Sequence, residues 1–117
     1  MDKTQIILPH TQYSAEHLAK VTTEMAERGS PTIKAIWVEA YNAWVAIEGT
    51  HRLRAAAALG LPVMIDAVEY DADKTTLDVG LSADDWGGDV WTLDQLTDRA
   101  VDTANKGAVV EVEVETV

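Results

Sequence analysis

A short segment near the middle of the chain combines a glycine with side chains that bind anions. Gly49 is followed by Thr50, His51 and Arg52, at a point where a strand should end and a helix begin. The first amides of a helix have no acceptor within the helix and lie at the positive end of its dipole. A glycine lets backbone approach a ligand closely, and hydroxyl, imidazole and guanidinium groups add hydrogen-bond donors. The segment is therefore a candidate phosphate-binding turn.

Glu48 and Arg54 could extend this candidate site. Glu48 directly precedes the glycine and could act as a catalytic base or as a magnesium ligand toward a bound nucleotide. Arg54 could place a second guanidinium near the phosphates. The structural alternative is that Thr50 only caps the helix, that both arginines are solvated, and that Glu48 is an ordinary polar strand end. The motif alone does not decide between these interpretations.

The sequence predicts no metal site. The chain has no cysteine, which excludes disulfides, thiolate ligands and cysteine nucleophiles. His10 and His17 show no metal-ligand spacing with His51, and we expect both to be exposed. The acidic run between residues 71 and 78 lacks the glycine and the terminal glutamate of an EF-hand loop.

The residues around the candidate turn predict a strand, a turn, a helix and a second strand. Residues 43–47 predict a strand that ends just before the glycine. The alanine-rich residues 50–59 predict a helix, which Gly60 ends. The mostly apolar residues 63–68 predict the next strand.

Other patterns predict the elements on the N-terminal side. A short strand is expected at residues 6–8. Residues 14–29 predict a helix, because Ser14 is a good N-cap, apolar residues recur at helical spacing and Gly29 is a typical helix end. Residues 33–39 predict a strand, followed by a turn near Asn42. We expect Trp37 and Trp44 to help cover the core.

The C-terminal side is less regular. Residues 71–89 are polar and acidic and predict a loop, with a short strand near residues 77–79. A capping box predicts a helix from residue 92 to about residue 106. Valine and glutamate alternate over residues 110–115, a period of two that is typical of one half-buried strand.

The net charge of −11 lies entirely in the second half of the chain. Residues 1–65 carry six acids and six bases, whereas residues 66–117 carry fourteen acids and three bases. Such a surface repels DNA phosphates, so direct DNA binding by the isolated chain is disfavoured. The chain shows no signal peptide and no apolar run of membrane-spanning length, so no membrane association is expected and a cytoplasmic location is the default.

The candidate turn resembles the nucleotide-binding box of the ParB/sulfiredoxin family. The residues that carry the resemblance are Gly49-Thr50-His51-Arg52-Leu53-Arg54-Ala55-Ala56, followed by Leu59-Gly60 and preceded by Gly29-Ser30-Pro31-Thr32-Ile33. The resemblance covers about residues 5–70. It implies a mixed α/β fold with a small twisted sheet and short helices. We expect one domain over residues 1–117, in which a C-terminal helix and strand belong to an acidic extension, residues 71–117, packed on that core.

The resemblance also implies a ligand. ParB proteins bind CTP and sulfiredoxins bind ATP at this turn, so Gly49, Thr50, His51 and Arg52 would surround nucleotide phosphates, with Arg54 nearby. Mg²⁺ could accompany the nucleotide, although the later Glu-Asn-x-x-Arg-type motif that ParB proteins need for metal and the helix-turn-helix domain that they need for DNA are not found in these residues. Thr50 stands where sulfiredoxins have their cysteine nucleophile and where the ParB box has glutamate. A hydroxyl does not replace a thiolate at neutral pH, so sulfiredoxin chemistry is not expected.

Three functions remain open from the sequence. The first is a stand-alone ParB-like nucleotide-binding domain with a regulatory or accessory role, as in a phage-type protein. The second is a small nucleotide-dependent phosphotransferase or hydrolase in which Arg52 neutralises phosphate charge. The third is an acidic protein-interaction module that imitates DNA charge and binds a protein partner through residues 71–98, where Trp86 and Trp91 flank two glycines.

Overall fold

The computed structural model describes residues 3–81 and 90–117, which form a mixed α/β fold of three helices and one six-stranded sheet. This confirms the predicted fold class. The elements are β1 (Thr4–Ile7), α1 (Ala15–Arg28), β2 (Thr32–Val38), a 3-10 turn (Glu39–Tyr41), β3 (Ala43–Ala46), α2 (Thr50–Leu59), β4 (Val63–Ala67), α3 (Leu93–Asn105), β5 (Val109–Val112) and β6 (Val114–Thr116).

The order of the strands brings two strand-to-helix connections together. The sheet runs β5-β1-β3-β2-β4-β6, and β1 lies beside β3 in parallel, with Ile6 opposite Trp44 and Ile7 opposite Val45. Parallel neighbours end at the same edge of a sheet, which is where α/β proteins bind ligands. The segments that lead from β1 into α1 and from β3 into α2 therefore start side by side.

The C-terminal strands close the sheet on itself. Strand β5 pairs with β1 at one edge, and β6 pairs with β4 at the other edge. Only Glu113 separates the two strands, and its carbonyl accepts a hydrogen bond of 2.8 Å from the Val63 amide. Because one continuous segment borders both edges, the sheet must curve until those edges meet. The alternating valines thus form two short strands rather than the predicted single one.

The core lies on both faces of the sheet, because successive strand residues point to opposite sides. On one face, Ile6 and Ala46 pack in the largest buried cluster together with Met25 of α1 and Leu53 of α2. On the other face, residues of β1, β2 and β3 pack against α3 in two smaller clusters. All three helices are thereby fixed to the sheet.

The helices begin and end at the predicted signals. Ser14 caps α1, because its hydroxyl accepts a hydrogen bond from the His17 amide, and Gly29 ends that helix. Gly60 ends α2 in the left-handed conformation. The capping box of Thr92 and Gln95 starts α3. No helix within residues 3–81 and 90–117 is long and apolar enough to cross a membrane.

Two further expectations from the sequence are wrong. Residues 77–79 form a turn instead of a strand, because the Asp78 carboxylate accepts hydrogen bonds from the amide and the hydroxyl of Thr75 and folds the chain back. Trp37 does not cover the core: it is 43% exposed, and its ring meets the Trp44 ring edge-on at 5.5 Å between centroids.

Candidate functional site

A cavity of about 360 Å³ lies at the carboxyl ends of β1 and β3. Its walls come from three places: the segment after β1, the first two turns of α1, and the turn that leads into α2. The structure brings four of the predicted site residues, together with Glu48, to this cavity. These are Gly49, Thr50, His51 and Arg52.

Gly49 allows the sharp turn into α2. Its backbone is left-handed, with φ of +83°, a conformation that side chains disfavour. A Cβ atom at this position would also overlap the side chain of Ile33. Both conditions require glycine, so the turn packs directly on β2 and delivers the start of α2 to the cavity.

Thr50 places an unsatisfied hydroxyl at the start of α2. The residue is 6% exposed, and its Oγ1 has no hydrogen-bond partner within the described part of the chain. The predicted alternative role as a side-chain cap does not apply, because Gly49 is the N-cap and no side chain caps this helix. The first helical hydrogen bond runs from the Leu53 amide to the Gly49 carbonyl (2.8 Å), so three preceding amides lack an intrahelical acceptor.

Arg52 and Glu48 form an ion pair at the rim of the cavity. Arg52 Nη2 lies 2.8 Å from Glu48 Oε1, and its Nη1 donates to the Thr32 carbonyl at 3.0 Å. The other carboxylate oxygen of Glu48 accepts from the Lys34 amide at 3.0 Å. Both oxygens of Glu48 are thus engaged, and the pair connects β2 to the first turn of α2. This arrangement gives Glu48 a positioning role. It also places both terminal nitrogens of Arg52, which was predicted to donate to phosphate oxygens, on acceptors of the protein itself.

His51 joins the two helix starts that border the cavity. Its Nε2 accepts a hydrogen bond of 3.0 Å from the Ser14 amide, so that nitrogen is unprotonated and Nδ1 carries the proton of the neutral ring. The His17 ring meets it edge-on with 4.5 Å between centroids. Burial lowers the pKa of His51 below its ordinary value of 6.5, and the neighbouring His17 and Arg54 lower it further.

Arg54 does not line the cavity. Its guanidinium stacks at 4.3 Å from the centroid of the Tyr13 ring and donates to the Thr11 carbonyl at 3.4 Å. Arg54 thus holds the segment that follows β1, and its predicted place near bound phosphates stays a prediction.

The segment after β1 is a part of the site that sequence reasoning missed. Pro9, His10 and Gln12 line the cavity, and so does His17 on α1. His17 is exposed, as expected, whereas His10 is half-buried. The proximity of His17 to His51 could not be inferred from their separation of 34 positions. This segment reaches the cavity because β1 pairs with β3 in parallel. No local sequence pattern indicates that pairing, so the segment could not be assigned to the site from the sequence.

The described residues offer donors for an anion but no metal centre. No group of three or more histidine, aspartate or glutamate side chains in residues 3–81 and 90–117 is arranged to hold a metal ion. Glu48, the candidate magnesium ligand, is engaged through both oxygens. A nucleotide would therefore be held here by backbone amides and a hydroxyl, and the donor set gives no fit for an accompanying Mg²⁺.

The acidic region predicted to bind a protein is described only in part. Asp84, Asp85, Trp86 and Asp89 lie outside the described residues. Trp91 is half-buried and packs against the cluster that contains Leu93. Trp91 thus covers the core.

Comparisons of the chain with protein-family models, with curated proteins and with solved structures find no match. The resemblance to the ParB/sulfiredoxin family therefore stays a prediction. The geometry of the cavity defines the class of site. It is a pocket at a strand-to-helix turn, where the Thr50 hydroxyl has no partner among the described residues and the first amides of α2 lack intrahelical acceptors. These groups are hydrogen-bond donors.

Proposed function

We propose that this chain binds a phosphorylated ligand of the nucleotide class in the cavity at the start of α2. The observation that carries the proposal is the buried Thr50 hydroxyl, which has no partner within the described residues and lies beside amides that lack intrahelical acceptors. A buried donor without an acceptor destabilises a fold by about 1–3 kcal/mol. A ligand oxygen that accepts from this hydroxyl would remove that penalty.

The chemistry of the turn favours phosphate over other groups. The backbone amides at the start of α2 point along a helix dipole whose positive end faces the cavity. The Nδ1–H of neutral His51 is a further donor, because Nε2 is already occupied by the Ser14 amide. Tetrahedral phosphate oxygens can accept from several such donors at once.

Arg52 supports anion binding by neutralising Glu48. An unpaired Glu48 carboxylate at the rim would repel a phosphate, and its ion pair with Arg52 cancels that charge. The Arg52 side chain is 40% exposed, but its two terminal nitrogens are engaged by Glu48 and by the Thr32 carbonyl. Removing the guanidinium should therefore weaken phosphate binding even if Arg52 does not touch the ligand.

The resemblance to ParB and sulfiredoxin boxes supports CTP or ATP as the ligand. The cavity of about 360 Å³ lies within the usual range for small-molecule sites, roughly 300–1,000 Å³. The proposal is limited to binding, with a regulatory or accessory role. A phosphotransferase or hydrolase would need a free base or a metal ligand, and Glu48, the residue predicted for both tasks, is engaged.

The proposal is tested by thermal unfolding with CTP, ATP, GTP and inorganic tripolyphosphate, each with and without magnesium. A ligand at 100 times its dissociation constant should raise the free energy of unfolding by about 2.7 kcal/mol. We expect at least one nucleotide to raise the midpoint and Arg52→Ala to remove most of that rise. If none of the four changes the midpoint, the proposal is wrong.

Thr50→Val separates binding from stability. This substitution keeps the shape of the side chain and removes only the partnerless hydroxyl, so the unliganded protein should be as stable as the wild type or more stable by up to about 1 kcal/mol. Ligand affinity should nevertheless fall by roughly tenfold, the value of one hydrogen bond to a charged group.

The matched control is Thr23→Val on α1. The Thr23 hydroxyl donates to the Ala19 carbonyl within its own helix, away from the cavity. This variant should leave ligand affinity unchanged. Equal ligand affinity in the wild type and Thr50→Val would contradict the role given to the hydroxyl.

A further inference from the structure

We infer a second binding site, for an arginine side chain of a basic partner protein, in a groove between the end of β2 and α3. The groove is a cavity of about 310 Å³ that shares no lining residue with the cavity at the start of α2. We call it the aromatic groove. Its lining residues are Trp37, Val38, Glu39, Ala40, Tyr41, Tyr70, Asp94, Thr97 and Asp98.

Aromatic rings form the walls of this groove and are left on the surface. Trp37 is 43% exposed and Tyr70 is 46% exposed, although side chains of this size contribute much to stability when they are buried. The Tyr41 hydroxyl donates to the Thr97 carbonyl at 3.1 Å, which holds the third ring against α3. Exposed rings around a cavity offer π faces to a cation.

Carboxylates line the same groove. Asp94 and Asp98 lie one turn apart on the exposed face of α3, and Glu39 lines the groove from the 3-10 turn. Asp94 Oδ1 accepts a hydrogen bond of 2.7 Å from the Tyr70 hydroxyl, which fixes one carboxylate beside one ring. Asp98 and Glu39 form no ion pair with any described residue.

Charge complementarity and shape select the occupant. No lysine, arginine or histidine is among the described residues that line the groove, so its carboxylates are not neutralised from within. A planar guanidinium can stack on an aromatic ring while its fork meets carboxylate oxygens, which an ammonium group cannot do equally well. An arginine in a basic protein segment therefore fits the groove best. The chain's net charge of −11 would also attract such a segment over longer distances.

The site is tested by calorimetric titration with three synthetic peptides of alternating glycine and a second residue. The second residue is arginine, lysine or neutral citrulline. We expect the arginine peptide to bind more tightly than the lysine peptide, and the citrulline peptide not to bind measurably. In nuclear magnetic resonance spectra, the chemical shift of the Trp37 indole N–H should change in proportion to the fraction of protein that has bound the arginine peptide.

Variants locate the binding. Asp98→Asn should weaken the arginine peptide about tenfold, the value of a charge-assisted hydrogen bond. Trp37→Ala should remove the preference for arginine over lysine. The matched control is Glu111→Gln on β5, which removes the same charge from an exposed position outside the groove and should change affinity less than twofold.

Three outcomes would overturn the inference. The first is that no peptide binds. The second is that citrulline and arginine peptides bind equally, which would exclude charge recognition. The third is that Glu111→Gln weakens binding as much as Asp98→Asn, which would indicate a general attraction to an acidic surface.

Discussion

The protonation state of His51 decides whether its hydrogen bond to the start of α1 can form. Its Nε2 accepts from the Ser14 amide, which is a bond that only the unprotonated nitrogen can make. Protonation would place a donor opposite a donor at the start of α1 and would also add charge near His17 and Arg54. A single imidazole thus holds together the two helix starts that border the cavity.

Stability should fall on mild acidification because of His51. Its pKa in the folded state is lowered by burial, so the unfolded chain takes up this proton more readily than the folded chain. The contribution is fully present above the ordinary value of 6.5 and is lost as the pH falls from there toward the lowered folded pKa. Denaturant unfolding at several pH values between 7 and 5.5 measures this dependence.

His51→Gln should flatten that pH dependence, since glutamine does not titrate. The exposed His17→Gln variant serves as a control and should keep most of the slope, because burial of His51, the largest cause of its lowered pKa, is unchanged. If His51→Gln lost stability with the same slope as the wild type, His51 would not be the source of the effect.

At the scale of elements, the turn between β3 and α2 depends on a glycine and an ion pair. Gly49 packs on Ile33, while Glu48 ties the Lys34 amide to Arg52. These contacts fix the direction of α2 relative to β2. The start of α2 is therefore held by contacts with β2 that involve no ligand.

Gly49→Ala should destabilise the fold more than Gly60→Ala. Both glycines are left-handed, with φ of +83° and +70°, so both substitutions carry the conformational penalty of about 1 kcal/mol. Only at Gly49 would the added Cβ also meet a neighbour, since nothing lies within 4 Å of that position at Gly60. The extra loss should be about 1–3 kcal/mol. Equal losses by denaturant unfolding would contradict the close packing of this turn.

Local signals explain which elements were predictable. The bounds of α2 follow from its glycines and alanines, and the start of α3 follows from its capping box, because these are interactions between residues three or four positions apart. The turn over residues 77–79 was missed because a side-chain carboxylate, Asp78, competes there with strand formation. The candidate turn was found from its glycine, but the pairing of Glu48 with Arg52 was not.

At the scale of the whole molecule, the C-terminal segment completes the sheet. Strands β5 and β6 border opposite edges, and the buried Val112 of β5 belongs to the same cluster as Ile6 and Leu53. The sequence pattern predicted a half-buried strand but not its two partners, because both partners lie more than 50 positions away along the chain and leave no local trace. The segments that follow β1 and β3 start side by side at the cavity, and this proximity could not be predicted from local sequence patterns for the same reason.

Val112→Ala tests the contribution of this closure to stability. Val112 is 3% exposed, so the loss of two methyl groups and the resulting cavity should lower the free energy of unfolding by about 2 kcal/mol. Val101→Ala on the outside of α3, where valine is 46% exposed, should change it by less than about 0.5 kcal/mol. Similar small changes in both variants would show that the C-terminal strands add little to the core.

Nucleotide binding at the start of α2 is tested most directly by an amide spectrum of the ¹⁵N-labelled protein during titration with CTP and with ATP. One nucleotide should produce saturable shifts, largest at the amides of Thr50, His51 and Arg52, and Thr50→Val should reduce the affinity read from those shifts. If the amides at the start of α2 stay unchanged while saturating nucleotide is added, the chain does not bind nucleotide there.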